Sequence, residues 1–362
     1  MPRILGIDIE SLSFPLERPF RAAIRHITST EVMLACARAD DGSIGYGYAF
    51  AFGAQDLAPI VSCAHALVPL LIGAEAVAPE RHWQTMQRAL ALAGPGGPAL
   101  AALSAIDLAL WDLAGRVAGL PLWRLLGGAR ETIPVYGSGG SLDLGDAELV
   151  AEAETFARAG YGAYKFKAGH GIARDALRLH AVRTAVGPDL RLIVDGNQQW
   201  NAKQAIRAAA AFEAADLWWL EEPVAAADHD ACARVRRAVS MEVATGETGF
   251  GVAEFGHLLR AGAADILMPN LQRVGGVTGW RKVASMAEAA GLPLASHVYA
   301  EVGVHLMCGV PNGLVLEVLP WWPRLFVEPL GIVGGQAVAP QAPGLGLTLD
   351  SEILARHRVV PG

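Results

Sequence analysis

The chain has 362 residues, of which 52% are hydrophobic, and it carries a formal net charge of −7. This length is enough for a sizeable core and for more than one domain. The charge balance gives no sign of nucleic-acid binding or of a polybasic membrane-binding surface, so we expect neither kind of partner. The four cysteines are scattered without a C-x-x-C pair, which indicates neither a disulfide framework nor a zinc site.

The amino terminus, MPRILGIDIE, has acidic residues where a signal peptide needs a continuous apolar segment. The apolar stretch from Ala99 to Gly115 is interrupted by Asp107 and Asp112, so we do not predict a membrane span there. We therefore expect a cytoplasmic protein.

Residues 1–125 predict an N-terminal α+β domain. RILGIDIESLSF alternates apolar and polar residues, and the turn-like ARADDGSIG lies between two strand-like runs. GGPALAALSAIDLALWDLAGRVAG is apolar on nearly every side, which favours a helix buried between other elements.

From about residue 130, short apolar runs alternate with Ala-rich amphipathic stretches of helical length, as in successive βα units. The eight runs are TIPVY, YKFK, LRLIVD, LWWLEE, EVATGE, ADILMPN, PLASH and LVLEV. They predict the α/β class, with a (β/α)8-type TIM barrel over residues 126–322 capped by the first domain. The Gly- and Pro-rich segment 323–362 lacks this rhythm, and we expect it to return to the capping domain.

Polar residues recur at the ends of these runs, about one in each βα unit. They are Lys167, Asp195, Glu221, Glu247, Asn270, His297 and Glu317, separated by 28, 26, 26, 23, 27 and 20 residues. The carboxyl ends of the strands of such a barrel converge on one mouth, so we expect these side chains to lie together there.

Asp195, Glu221 and Glu247 follow three consecutive runs. Acidic residues can follow strands simply because loops are polar, but matching places in consecutive units favour a shared site. Three adjacent carboxylates stay ionised if a hard divalent cation lies between them, and an all-oxygen set suits Mg²⁺.

Lys165 and Lys167 share one face of their strand, because side chains alternate along it. A neighbouring ammonium disfavours a second positive charge, so Lys165 is expected to lower the pKa of Lys167 and make it a usable base. One lysine can then hold an anionic group while the other removes a proton. His297 is expected across the mouth as a second acid or base. Glu317, among apolar neighbours, is expected to have a raised pKa and to donate a hydrogen bond as a neutral acid.

These residues resemble the enolase superfamily, and within it the mandelate racemase subgroup (mandelate racemase/muconate lactonizing enzyme family), over nearly the whole chain. The matching segments are IDLALWDLAG, PLWRLLGG, YKFKAG, IVDGNQ, WLEEP, TGE, LMPNLQRVGGVTGW, SHVYAE and LE. The resemblance implies an enzyme that uses Mg²⁺ to remove the α-proton of a small-molecule (2-hydroxy)carboxylate and form a metal-stabilised enolate. A homo-oligomer is also expected.

The resemblance also assigns roles to individual residues. By this resemblance, Mg²⁺ is bound by Asp195, Glu221 and Glu247. Lys167 is the base on one face of the substrate, and His297 is the acid or base on the other. Lys165 and the metal hold the substrate carboxylate, Asn197 contacts the substrate, and Glu317 donates a hydrogen bond to the enolate.

Asn270 departs from the family pattern, which usually has an aspartate at this place. An amide can orient His297 but cannot stabilise an imidazolium by charge, which makes His297 the weaker proton acceptor. Three interpretations remain open: an acid-sugar dehydratase (hydro-lyase), which we favour; a mandelate racemase-like racemase or epimerase with a modified dyad; and an impaired or engineered protein that binds metal and carboxylate.

By resemblance, specificity lies in the capping-domain loops over the mouth. LERPFRAAIRH carries Arg18, Arg21, Arg25 and His26, which favour an aldonic or aldaric acid, although these side chains could instead be solvated or tie the domains together. An apolar pocket could instead be lined by Tyr48, Phe50, Phe52, Trp321 and Trp322. In the loop after the first run, Gly139 and Gly140 leave only Ser138 or Ser141 to offer an aliphatic hydroxyl.

Overall fold

The computed structural model describes residues 1–92, 94 and 96–359. The chain opens with a three-stranded antiparallel sheet in the order β1 (Ile4–Ala22), β2 (Arg25–Ala39) and β3 (Ile44–Ala51). The helices that follow are α1 (Ala54–Leu67), α2 (Pro79–Ala89), α3 (Gly97–Ala118) and α4 (Leu122–Leu125). The predicted α+β capping domain is therefore confirmed.

The buried helix predicted in this domain is α3. By length and composition it could cross a membrane, but 89% of its apolar window is buried inside the protein. It packs directly on the backbone of β3, where Gly45 and Gly47 leave room for the contact. A Cβ added at Gly47 would lie 2.1 Å from the carbonyl oxygen of Ala105, so a larger residue there would push the helix off the sheet.

The eight predicted runs form eight parallel strands, and pairing of the last with the first closes the barrel. The strands are β4 (Thr132–Ser138), β5 (Ala163–Lys167), β6 (Arg191–Asp195), β7 (Leu217–Glu221), β8 (Glu242–Thr245), β9 (Ile266–Leu267), β10 (Leu294–Ala295) and β11 (Gly313–Val318). The intervening helices are α5 (Asp146–Arg158), α6 (Ile172–Val186), α7 (Ala202–Phe212), α8 (His229–Ala238), α9 (Gly251–Ala261), α10 (Gly276–Ala289) and α11 (Ala300–Gly309). The predicted barrel is confirmed.

Alternation along the strands decides which side chains reach the mouth. Phe166 and Val194 join the large core cluster, whereas Ile193 and Trp219 belong to a separate cluster with one residue from each of several other strands. Because side chains alternate faces, the residues two positions after Ile193 and Trp219 share their face. Asp195 and Glu221 are these residues, and they are partners in the strand register.

The carboxyl-terminal segment takes a longer path than predicted. A hairpin of β12 (Ile332–Val333) and β13 (Gln336–Val338) first extends the barrel sheet by pairing with the start of β4. The segment then returns to the capping domain, where the backbone N–H of Leu345 donates to Oδ1 of Asp112 on α3 at 2.6 Å and α12 (Ser351–His357) lies beside β1. There Nδ1 of His357 donates to the Ser13 carbonyl at 2.7 Å. The first barrel strand begins at Thr132, and the predicted domain boundaries at 125 and 322 remain predictions.

A buried histidine links α11 to the segments that dock on it. His305 is fully buried; its Nδ1 accepts from the backbone N–H of Trp123 at 3.3 Å, and its Nε2 lies 3.0 Å from the carbonyl oxygen of Leu345. Burial lowers the pKa of His305 to about 4, although the bond to Leu345 opposes the shift. The neutral ring fits these partners, because a protonated Nδ1 would face another donor.

This histidine should make the fold sensitive to acid. The unfolded chain binds the His305 proton near its ordinary pKa of about 6.5, so stability is lost as pH falls from there towards the folded value. We expect about 2 kcal/mol of the free energy of unfolding to be lost between pH 7 and pH 5 through this residue alone. Urea unfolding at both pH values checks this, with His305→Gln as the non-titrating comparison. Equal pH dependence in the two proteins would contradict it.

Candidate active site

Three carboxylates converge at the mouth of the barrel. Asp195 and Glu221 end β6 and β7, and Glu247 follows β8; their oxygens lie within 4.8 Å of one another. Burial raises the pKa of Glu221 well above its ordinary value; Lys165 opposes the shift, and Asp195 and Glu247 add to it. Buried carboxylates so close together need additional positive charge, and the all-oxygen set fits a hard cation such as Mg²⁺.

Both lysines of β5 point at these carboxylates. Lys165 is buried and ion-paired with Glu221 and with Glu317, whose Oε1 lies 2.8 Å from its Nζ. Although burial disfavours the ammonium, Glu221 and Glu317 raise the pKa of Lys165 well above its ordinary value. Lys165 therefore stays charged and is suited to hold an anion.

Lys167 lies nearer the cavity than Lys165, two residues further along β5. Its Nζ is 2.5 Å from Oδ2 of Asp195, and its side chain keeps 12% of its exposure. It borders the cavity described below, whereas Lys165 does not. That Lys165 lowers the pKa of Lys167 stays a prediction. The two lysines differ in position, because Lys167 is within reach of a substrate in the cavity and Lys165 is not.

The expectation of a neutral Glu317 is wrong for this structure. Burial alone would raise its pKa, but Lys165 and His297 together lower the pKa of Glu317 to about 2. The backbone N–H of Val298 also donates to its Oε2 at 2.7 Å. Glu317 is thus an ionised carboxylate that accepts hydrogen bonds, and it fixes the position of Lys165.

Asn270 and His297 contact each other across the mouth, with Nδ2 of the amide 2.8 Å from Nδ1 of the ring. The amide orientation follows from its other contacts, because Oδ1 of Asn270 accepts from the backbone N–H groups of Gln272 and Arg273 at 3.0 and 3.1 Å. The amide N–H must therefore donate to Nδ1 of His297, which places the proton of a neutral ring on Nε2. That nitrogen lies 3.0 Å from Oε2 of Glu247, so it presents a donor to the site.

These groups border a cavity of about 350 Å³ between the barrel and the capping domain. Lys167, Glu247, His297 and Glu317 line its barrel side, together with Asn197. The side-chain oxygen of Asn197 is buried without a hydrogen-bond partner, while its Nδ2 donates to Asp195 at 3.0 Å. This free acceptor fits the predicted contact of Asn197 with the substrate.

Of the four basic residues predicted to contact the substrate from the capping domain, the structure places only one at the cavity. Arg25 borders the cavity, whereas Arg18 and Arg21 do not, and neither does the exposed His26. Arg18 forms an ion pair with Glu148 of α5 at 3.0 Å. For Arg18 and Arg21 the expected substrate contact is wrong in this structure, because both tie the β1–β2 hairpin to the barrel, as the alternative expectation had it. A substrate contact of His26 stays a prediction.

Arg21 pairs with Asp143 at 3.5 Å, and its backbone N–H donates to the hydroxyl of Ser141 at 2.9 Å. Ser141 is therefore used within this contact, and Ser138 is the serine that lines the cavity. A larger cavity of about 570 Å³ is bordered by Arg18 and the tail, and none of the converging mouth residues lines it.

Three of the five aromatic residues that could line an apolar pocket border this cavity. Phe50, Phe52 and Trp321 line the cavity, whereas Tyr48 and Trp322 do not. Tyr48 is buried and donates to Glu301 at 2.9 Å, so its hydroxyl is already used.

Sequence reasoning missed several residues near the site. Gln198, Thr248 and Arg273 line the cavity within a few residues of predicted ones, so the same strand-end rule could have included them. Gln272, two residues after Asn270, does not line this cavity. Its amide exchanges hydrogen bonds with the backbone N–H and carbonyl of Phe50 at 3.0 and 3.2 Å, which joins the loop after β9 to the wall of the cavity.

Comparison with known proteins agrees with this geometry. Residues 7–127 match the family described as mandelate racemase/muconate lactonizing enzyme, N-terminal domain, and residues 148–353 match enolase C-terminal domain-like. The chain is 37% identical to a 3,6-anhydro-alpha-L-galactonate cycloisomerase of Streptomyces coelicolor over 88% of this chain and 89% of that protein. It is 34% identical to an L-talarate/galactarate dehydratase of Salmonella typhimurium over 97% and 90%.

The fold is also similar to that of a solved acid-sugar dehydratase structure. The L-talarate dehydratase of Polaromonas sp. JS666, complexed with Mg and L-glucarate, superposes with a TM-score of 0.94 at 36% identity, covering 99% of this chain and 98% of that one.

Proposed function

The chain belongs to the mandelate racemase/muconate lactonizing enzyme family of the enolase superfamily, and from this premise we propose that it is an acid-sugar dehydratase. It is an enzyme, and Mg²⁺ is its cofactor. The dehydratase and cycloisomerase relatives support removal of an α-proton from a small carboxylate. The observation that carries the more specific proposal is the orientation of Asn270 against His297.

We assign proton removal to Lys167, which borders the cavity at the end of β5. A proton beside a carboxylate is too weakly acidic for a lysine unless the developing charge is stabilised. Bound Mg²⁺, held by Asp195, Glu221 and Glu247, would supply positive charge at the substrate carboxylate. Lys165, fixed between Glu221 and Glu317 behind the cavity wall, adds a second positive charge near that carboxylate.

Asn197 and Glu317 have positioning roles, the first towards the substrate and the second towards Lys165. The free side-chain oxygen of Asn197 accepts from a substrate hydroxyl, and Glu317 positions Lys165 through their 2.8 Å ion pair. Because Glu317 is ionised, we give it this positioning role and not that of a hydrogen-bond donor.

His297 faces the site with an N–H group, and this favours elimination over racemisation. A racemase needs a second base that accepts a proton on the opposite face of the substrate, whereas an Nε2–H can only donate. In a dehydration Lys167 first takes the α-proton, and the C–H electron pair becomes the enolate. The electrons of the enolate then form the carbon–carbon double bond as the C3–oxygen bond breaks. The oxygen leaves as hydroxide, which accepts a hydrogen bond from Nε2 of His297; with the proton taken by Lys167 it makes up the water that is lost.

Two measurements test the proposed function. With Mg²⁺ present, a library of acid sugars should yield 2-keto-3-deoxy acids, and the α-proton should exchange with deuterated water. Racemisation of mandelate-like acids without dehydration would instead support a racemase or epimerase. No exchange with any acid would favour a metal- and carboxylate-binding protein with impaired turnover.

Asn270→Asp tests the role of the amide. A carboxylate accepts from Nδ1–H, so the free electron pair of His297 moves to Nε2 and the ring becomes a base. We expect exchange of the α-proton in the C2 epimer of the substrate to rise at least about 100-fold, the lower range of general-base catalysis. Proton NMR in deuterated water checks this for both epimers.

Asn270→Ala is the matched control for this substitution. It removes the amide without supplying a carboxylate, so the new exchange should not appear. If Asn270→Asp leaves every rate and the pH profile unchanged, the two side chains are not coupled.

A further inference from the structure

We infer that the substrate carries a single carboxylate, and that its far end is uncharged and poor in hydroxyl groups. This inference rests on the proposed function and narrows the substrate class for the same site. It follows from the contrast between the two sides of the cavity.

The capping-domain side of the cavity is largely aromatic and aliphatic. Phe20 packs on Trp321 with ring centroids 5.0 Å apart, Phe52 lies 6.3 Å from Trp321, and Phe50 lies 5.2 Å from Phe52. Ile24, at the tip of the β1–β2 hairpin, also borders the cavity and is 65% exposed. This wall can be covered favourably only by a ligand that presents carbon to it.

The cations that border this cavity already have partners. Nη1 of Arg25 lies 3.5 Å from Asp56, and its guanidinium carbon lies 5.7 Å from the ring centre of Phe52. Nη1 of Arg273 donates to the carbonyl oxygen of Glu247 at 2.6 Å. Among the described residues, each lining guanidinium therefore already has one protein partner, with which a second carboxylate would compete.

The polar lining residues gather at the opposite end. Asn197 and Lys167 both donate to Oδ2 of Asp195, at 3.0 and 2.5 Å, and Gln198 donates to Thr248 at 2.9 Å. Ser138 ends β4, the strand that pairs with the strand of Lys167. Hydroxyls near the reacting carbon therefore find partners. A carboxylate at the far end would be taken out of water against the aromatic wall, where the lining guanidinium groups already have protein partners, and this is costly.

The test compares aldonates and aldarates that share their configuration from C2 to C5, so that each pair differs only at the far carbon. The panel includes the 6-deoxy forms of the aldonates, with Mg²⁺ present. We expect kcat/KM for the aldonate to exceed that for its aldarate at least tenfold. We also expect the 6-deoxy form to equal or exceed its parent.

The possible failures are distinguishable. An aldarate that reacts as well as its aldonate overturns this inference and leaves the dehydratase proposal standing. If no acid of the panel loses water or exchanges its α-proton, the proposed function itself fails.

A pair of substitutions at Phe52 gives a second readout. Phe52→Arg places a cation in the wall, and we expect the ratio of aldarate to aldonate kcat/KM to rise at least tenfold. Phe52→Leu keeps the wall apolar, so the preference for the aldonate should persist even if both rates fall. If Phe52→Arg folds, as judged by circular dichroism, and leaves the ratio as in the Leu variant, the wall does not set the preference and the inference is wrong.

Discussion

Replacement of Lys167 by alanine is expected to lower kcat by roughly 10²–10⁴-fold, the range that a positioned general base contributes. No other lysine can take over, because Lys165 is committed to Glu221 and Glu317 and stays charged. Exchange of the substrate α-proton with deuterated water measures the loss directly. Lys167→Arg should be nearly as inactive, because a guanidinium keeps the charge beside Asp195 but does not release its proton.

The exposed Lys203 provides the control, since Lys203→Ala also removes one ammonium group. Its exchange rate should stay within a factor of about two, as expected for a surface substitution. An alanine variant at position 167 that folds normally and keeps a tenth or more of the wild-type rate would show that another group is the base.

Substitution of Glu221 by glutamine is expected to weaken Mg²⁺ binding by at least about 100-fold, because even the outer partners of metal ligands change affinity by 10–100-fold. The side chain is fully buried and also accepts from Nε1 of Trp219 at 2.9 Å, so an amide of the same shape retains the packing. Isothermal titration calorimetry measures the affinity without reference to turnover.

A thermal readout complements the titration. Free Mg²⁺ at 100 times its Kd should stabilise the wild-type fold by about 2.7 kcal/mol and raise its Tm, and the Glu221→Gln variant should lose this increase. Glu213→Gln, a charge change at an exposed position, should keep it. Equal Mg²⁺-dependent shifts in the wild type and the Glu221 variant would remove Glu221 from the ligand set.

The positions of the strands and of the acidic triad could be predicted because both depend on short-range patterns. Each βα unit repeats an apolar run followed by a polar residue, and closure of the barrel brings the run ends together. Asp195 and Glu221 were therefore placed correctly from spacing alone. Their roles as ligands remain predictions, which the Glu221 experiment addresses.

The errors concern residues whose partners lie far away in the chain. The pKa of Glu317 could not be predicted because its nearest cation, Lys165, is supplied by a strand at the other end of the barrel sequence. Arg18 and Arg21 were assigned to the substrate because Glu148 and Asp143 gave no sign that they would meet the hairpin.

The orientation of the Asn270 side chain depends on two backbone N–H groups of its own loop. The sequence could show the amide but not which of its ends faces His297. This detail decides which nitrogen of the ring carries the proton, and with it the chemistry of that face.

The pairing of β4 with β11 and β13 has a consequence for synthesis of the protein. The strand that opens the barrel waits for partners encoded more than 170 residues later, and the hairpin over the mouth is secured by α12 near the end of the chain. On the ribosome the nascent polypeptide therefore cannot close the barrel until β11 has emerged. Prematurely terminated chains should be inactive and should expose unpaired strand edges to cellular proteases.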